Sequence, residues 1–263
     1  MSNLAKRVTA AVFGVPALLF ISYQGGYFLL CLTLVLNSLA LWEFFSMLEK
    51  KDIHPMKIIT VILSDLFILY SVMNPQSTHR LLLLILFTLI TASAEIFRGS
   101  AKSPLNPAAA MFGVLYITMP FLILNELQPV SGKLVIVFLF IQIWTCDTAA
   151  YFAGRKFGKH KLSGISPNKT VEGSAAGFIF TVIISVTLHF IFPEYLNIKD
   201  ALITGILTGI FSQTGDLFES MIKRFCGVKD SSSVIPGHGG ILDRFDSLVF
   251  VTPIIYLYFT FAA

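Results

Sequence analysis

Along residues 212–223, polar side chains recur every three to four positions: Ser212, Asp216, Glu219 with Ser220, and Lys223. On an α-helix that spacing makes a single stripe. Asp243 and Asp246 stand three apart at the start of a later apolar segment, and Asp147 lies at the end of an earlier one. An aspartate beside a helix N-terminus can act as a plain cap. Carboxylates from several helices at one depth, however, repel each other unless a cation or basic group lies between them. All-oxygen donors without cysteine suit a hard cation, and Mg²⁺ in particular binds through one or two carboxylates, water and substrate phosphates.

Basic residues surround these acids. Lys223, Arg224, Lys229 and Arg244 flank them, and Gly237, Gly239 and Gly240 let backbone amides come close to an anion. A hard cation, basic clamps and a glycine-rich turn together suit phosphoryl or nucleotidyl transfer, where catalysis is mostly positioning and charge stabilisation. No Walker A pattern occurs. Residues 155–173 add Arg155, Lys156, Lys159, Lys161, Asn168 and Lys169, which form either a second anionic grip or a solvated basic loop. His238 alone does not make a zinc site and reads as a loop residue that positions a neighbour or a phosphate.

Such groups need elements to hold them, and here the elements are apolar. The chain has 263 residues, 55% of them hydrophobic and 13% charged, with a mean hydropathy of +0.78. That balance is of a membrane protein. Apolar stretches long enough to cross a bilayer occur at roughly 8–23, 27–45, 58–73, 81–97, 107–125, 134–152, 174–192, 201–222 and 246–262. The expectation is an all-α integral membrane protein of about nine transmembrane helices, with eight or ten as neighbouring counts. The first stretch is long for a signal-peptide core and lacks an obvious cleavage site, so it is kept as a helix. Residues 1–263 form one domain: 1–126 supply scaffold helices and 134–263 the catalytic half, with cytoplasmic loops at 153–173 and 223–245. No internal repeat or low-complexity tract is evident.

Lysine and arginine set the orientation. With the N-terminus inside, the cytoplasmic segments hold Lys6, Arg7, Lys50, Lys51, Lys57, Arg98, Lys102, Arg155, Lys156, Lys159, Lys161, Lys169, Lys223, Arg224, Lys229 and Arg244, sixteen of the 19 basic residues. Only Arg80, Lys133 and Lys199 fall outside, so the C-terminus is expected outside. The net charge of +4 thus sits on the face that meets anionic lipid. Cys31, Cys146 and Cys226 have no metal-ligand spacing, and no disulfide is expected. Asp65, within a span, reads as a structural hydrogen-bond partner. Glu43 and Glu95, near cytoplasmic ends, are expected to be reached by water.

The segment SMIKRFCGVKDSSSVIPGHGGILDRFD, residues 220–246, resembles the signature of the phosphatidate cytidylyltransferase (CDP-diacylglycerol synthase) family of bacterial type. Asp147, Ala150, Tyr151, Gly154, Arg155 and Gly158, followed by SPNKTVEG at 166–173, extend the resemblance over roughly residues 144–250. The resemblance implies an enzyme of the bacterial inner membrane, active site toward the cytoplasm, that joins CTP to phosphatidic acid with Mg²⁺. It implies no nucleic-acid partner and a tendency to form homodimers. Asp216 and Asp243 become the central metal-site acids, with Asp246 beside them. Lys223, Arg224, Lys229, Asp230, His238 and Arg244 belong to the catalytic region. Ser220, Gly239 and Gly240, together with Arg155 and Ser166, are placed at the substrates. Asp147 and the run from Asn168 through Lys169 to Glu172 are assigned to the nucleotide or a second cation. A CTP-dependent lipid kinase, or another CDP-lipid synthase, is the nearest alternative. An ion-coupled transporter is a distant one, since its charges would spread across membrane depth.

Overall fold

Apolar runs of this length must satisfy their backbone polar groups internally, which leaves the helix as the available structure. The computed structural model describes the backbone of residues 3–99, 103–234 and 239–261, and side chains from residue 12 onward. The described residues are all-helical: α1 (Asn3–Gln24), α2 (Gly26–Leu48), α3 (Lys57–Met73), α4 (Arg80–Phe97), α5 (Leu105–Gly113), α6 (Met119–Ser131), α7 (Val135–Phe157), α8 (Val171–Ile191), α9 (Ile198–Phe225) and α10 (Leu242–Phe261). A π turn, Val114–Thr118, joins α5 and α6 into one rod, so the described residues make nine helical rods. Six are long and apolar enough to cross a membrane: Gly26–Lys51, Arg80–Phe97, Leu105–Ser131, Val135–Phe157, Val171–Ile191 and Leu242–Phe261. The 28-residue α9 is longer still but carries the polar stripe.

Contacts between rods sort into two ends. At one end Arg98 donates to the His54 carbonyl, Asn106 Nδ2 donates to Glu95 Oε1 at 2.7 Å, and the Lys51 ammonium sits 5.7 Å over the Phe225 ring. At the other, Arg80 pairs with Glu126 at 2.5 Å and the Tyr258 hydroxyl donates to Asp200 at 2.6 Å. There too, Gln128 donates to the Ser22 carbonyl. Successive rods therefore alternate in direction.

The centre is built from α2, α6, α7 and α10, where Leu29, Phe44, Phe45, Phe121, Ile136 and Val251 are buried together. Around it, α1, α3, α4 and α8 turn large apolar side chains outward, among them Phe13, Ile62, Leu81, Leu89 and Phe180. In water that outer surface would be an association hazard; in lipid it is matched. Several buried polar groups link the rods of the bundle. Asn37 Nδ2 donates to Asp65 Oδ1 at 2.8 Å, Ser38 Oγ to Asp65 Oδ2 at 2.5 Å, and Thr118 Oγ1 to Asn37 Oδ1 at 2.8 Å, the structural role expected of Asp65. Gln142 links Ser185 on α8 and Thr208 on α9, at 2.9 and 2.8 Å.

Two expectations need correction. Glu43 and Glu95 are not reached by water: they are 3% and 6% exposed. Glu95 is enclosed because Asn106, the Ser103 amide and Arg98 donate to it. Helices also run beyond the expected loop boundaries, α7 to Phe157 and α9 to Phe225, with Arg155, Lys156, Lys223 and Arg224 in their last turns. Cations there oppose the negative end of the helix dipole, so the helix continues where the apolar run stops.

Candidate active site

The first end of the bundle gathers charge from four elements. Asp147 comes from α7, Asp216, Glu219 and Lys223 from α9, Asp243 and Asp246 from the start of α10, and Lys169 from the segment before α8. The helices that carry them approach closely because small residues line the contact. A Cβ on Gly215 would lie 2.7 Å from the Asp246 carbonyl oxygen, so α9 and α10 can meet at this point only through glycine. The Ser247 hydroxyl donates to the Ser212 carbonyl at 3.0 Å and ties the same crossing.

Three carboxylates face one another here. The charges of Asp147 and Asp216 both act on Asp246, which is 8% exposed, and Asp147 and Asp216 act on each other. Three cations answer them. Lys169 forms an ion pair with Asp216, Lys169 and Arg244 both attract Asp147, and Lys223 attracts Asp246. Asp246 Oδ1 accepts from the Ser247 amide at 2.6 Å, and Ser220 Oγ lies 3.4 Å from Asp216 Oδ1.

Asp243 sits in a second arrangement beside the first. Its Oδ2 accepts from the Ser231 amide and hydroxyl, both at 2.9 Å, and from the Gly240 amide at 2.8 Å. Its Oδ1 accepts from the Lys223 ammonium at 2.6 Å, the one donor to it among the described residues. Gly239 has φ +81°, and a Cβ there would lie 2.6 Å from Asp243 Oδ2. A Cβ on Gly240 would overlap Ser231 Oγ and Glu43 Oε2. The glycines thus let the chain wrap around this carboxylate.

The polar stripe on α9 contributes one more acid. Glu219 is 0% exposed, pairs by charge with Lys223, and has no hydrogen bond to Oε1 among the described residues. The Lys223 ammonium lies against Oε2 outside good hydrogen-bond alignment, so we read this contact as electrostatic. The Tyr116 hydroxyl, also without a partner among the described residues, shares the field of Glu219 and Asp246.

Other expected residues stand apart from these acids. Arg155 is exposed, with its Nη1 3.5 Å from the Tyr151 hydroxyl, and Arg224 donates to the Val228 carbonyl at 3.1 Å. Lys229 and Asp230 are exposed just before Ser231. The Ser166 carbonyl accepts from the Lys169 amide at 3.0 Å, which shapes the turn that presents Lys169, while Asn168 is exposed. Glu172 accepts from the Lys159 amide at 3.0 Å and lies 2.6 Å from His160 Nδ1, so it pins the loop between α7 and α8. His238 and Gly237 lie outside the described residues.

Sequence reasoning read Glu43 only as a water-reached acid and missed its place at this site. From α2, in the half of the chain outside the signature, it accepts from Ser232 Oγ at 2.6 Å and from Ser231 Oγ and the Ile241 and Leu242 amides, each at 2.9 Å. An acid in an apolar span was the available signal.

A hard divalent cation fits the donor chemistry. Oxygen groups of Asp147, Asp216 and Asp246 share one field without sulfur or imidazole, with Lys169, Arg244 and Lys223 as the opposing charges. No set of three or more His, Cys, Asp or Glu among the described residues forms a ready protein-only cage. Mg²⁺ does not need one, because it usually completes its shell with water and substrate phosphates.

The profile of the cytidylyltransferase family matches residues 5–262. A phosphatidate cytidylyltransferase of Staphylococcus haemolyticus is 36% identical over 258 residues, covering 95% of this chain and 96% of that protein. The proteins of the same name from Staphylococcus saprophyticus and Staphylococcus aureus are 36% and 33% identical, each again covering 95% of this chain and 96% of the relative.

Proposed function

Because the chain belongs to the cytidylyltransferase family, we propose that it transfers the cytidylyl group of CTP to phosphatidic acid at the charged end of its helical bundle. The products are CDP-diacylglycerol and pyrophosphate. The observation that carries the assignment of the site is the convergence of Asp147, Asp216 and Asp246, from three helices, in one electrostatic field, with Lys169 paired to Asp216 and Arg244 attracting Asp147.

In the reaction a phosphate oxygen of phosphatidic acid forms a bond to the α-phosphorus of CTP, and the bond from that phosphorus to the bridging oxygen of the β-phosphate breaks. Pyrophosphate leaves with the electron pair. A phosphomonoester is already a competent nucleophile near neutral pH, so the chain need not supply a strong base. Its work is placement and neutralisation. Asp216 and Asp246, with Asp243, would hold Mg²⁺; Asp147 and the 168–172 segment would serve the nucleotide or a second cation. The ion's contribution is to offset negative charge on the triphosphate. Lys169 and Arg244 face the same acids and are placed to bind phosphate oxygens once the acids have a cation. Lys223, held between Glu219 and Asp243, keeps the glycine turn in register.

The same reading sets the protein in the inner membrane with nine passes, N-terminus and site toward the cytoplasm, C-terminus outside. Its supports are the alternating direction of the nine rods and the crowding of basic residues at the end that holds the acids. CTP then arrives from the cytosol while acyl chains stay in the bilayer.

Label position separates this reaction from the lipid kinase alternative. With CTP labelled at its α-phosphorus, the label enters the lipid extract together with cytidine; a kinase would instead move label from the γ-phosphorus into lipid and release CDP. Transfer of γ-label would overturn the assignment.

A further inference from the structure

We propose that Glu43 is a positioning residue for the transfer reaction: it anchors Ser231, Ser232 and the first amides of α10, and so holds Asp243 in place. This rests on the functional reading above and deepens it. The geometry is specific. Both oxygens of one buried carboxylate are used, Oε1 by Ser232 Oγ and the Ile241 amide, Oε2 by Ser231 Oγ and the Leu242 amide. The Ile241 and Leu242 amides lie at the N-terminus of α10, where backbone donors have no helical partner and a negative charge is favoured. In most helices a residue next in sequence supplies that acceptor. Here it comes from a helix almost two hundred positions earlier.

The anchor reaches the site through a shared donor. Ser231 Oγ lies 2.9 Å from both Glu43 Oε2 and Asp243 Oδ2, and its single proton serves one of them at a time. The Ser231 and Gly240 amides donate to Asp243 as well, so the groups that Glu43 holds, Ser231 and the amides next to Gly240, are those that orient Asp243. Gly240 completes the arrangement, because any side chain there would collide with Glu43 and Ser231 together. Among the described residues Glu43 makes no hydrogen bond to Asp147, Asp216, Asp243 or Asp246. Its effect is exerted through the backbone.

Glu43→Gln keeps the volume but converts one oxygen into a donor facing donors, leaving buried groups unmet. The test is hydrogen exchange at 231–242 in the purified full chain, with kcat and the half-saturating Mg²⁺ and CTP concentrations per folded molecule. Expected are faster exchange confined to this turn, and a kcat lower by about tenfold or more, the cost of unmet buried donors. Half-saturating Mg²⁺ is expected to rise. Glu95→Gln provides the comparison: an equally buried acid that holds the α4–α5 connection, it should lower stability while leaving kcat and both half-saturation values unchanged. Unchanged exchange and wild-type kinetics in Glu43→Gln would overturn the proposal. If that variant does not fold, Ser232→Ala decides: slower turnover at an unchanged melting point supports the anchor, and wild-type turnover refutes it. A wild-type chain with no transfer activity would instead sink the functional reading, while exchange at 231–242 would still judge the anchor.

Discussion

Asp243 and Asp216 carry the same chemical group and are held in different ways. Asp243 is enclosed by Lys223, Ser231 and Gly240, whereas Asp216 stands half-exposed with Lys169 as its counterion. Exchanging Asp243 for Asn places an amide against either Lys223 or the donors on Oδ2. Breaking a buried pair from one side costs about 3–5 kcal/mol, so the variant must be assayed per folded molecule. Asp243→Asn is expected to lose roughly a hundredfold or more in kcat, comparable to removing one preorganised electrostatic contact in other enzymes. Steady-state kinetics at saturating CTP check this, and near-normal turnover would contradict the role given to Asp243. At this scale the sequence was informative where residues are close together. The spacing of Asp216, Ser220 and Lys223 defined one helix face, and the structure places them on it. The role of Glu43 was illegible because its partners are distant in sequence, and periodicity reports only on neighbours along one element.

Among the elements, α9 and α10 bear the most. Their crossing depends on Gly215 against the Asp246 carbonyl and on the Ser247 to Ser212 bond, so the separation of the acids is set by backbone contact. Gly215→Val would force the pair apart and cost about 1–3 kcal/mol, the usual range for overpacking a tight contact. A lower melting temperature in detergent and a higher Mg²⁺ requirement should appear together. A lower melting temperature with unchanged Mg²⁺ dependence would mean that the crossing does not position the acids. Apolar length located all nine rods but placed their ends several residues short at α7 and α9. The apolar pattern stops at the membrane surface, whereas a helix stabilised by basic residues in its last turn need not.

For the whole molecule, the proposed orientation rests on nine rods and a one-sided distribution of lysine and arginine. Single cysteines at the N-terminus and after residue 261, in a chain whose Cys31, Cys146 and Cys226 are replaced, should label from opposite sides of intact inner-membrane vesicles. Labelling of both termini from one side would contradict the nine-pass reading. The bundle's function rests on a division of work: α7 to α10 carry the acids and bases, and α2 supplies the buried acceptor that steadies their turn. The most direct test is the product stoichiometry of the purified chain given CTP, phosphatidic acid and Mg²⁺. The account predicts CDP-diacylglycerol and pyrophosphate appearing in equal amounts, and both falling together in Asp216→Asn. Pyrophosphate without lipid product, lipid product with CDP in place of pyrophosphate, or an Asp216→Asn variant with undiminished transfer would contradict it.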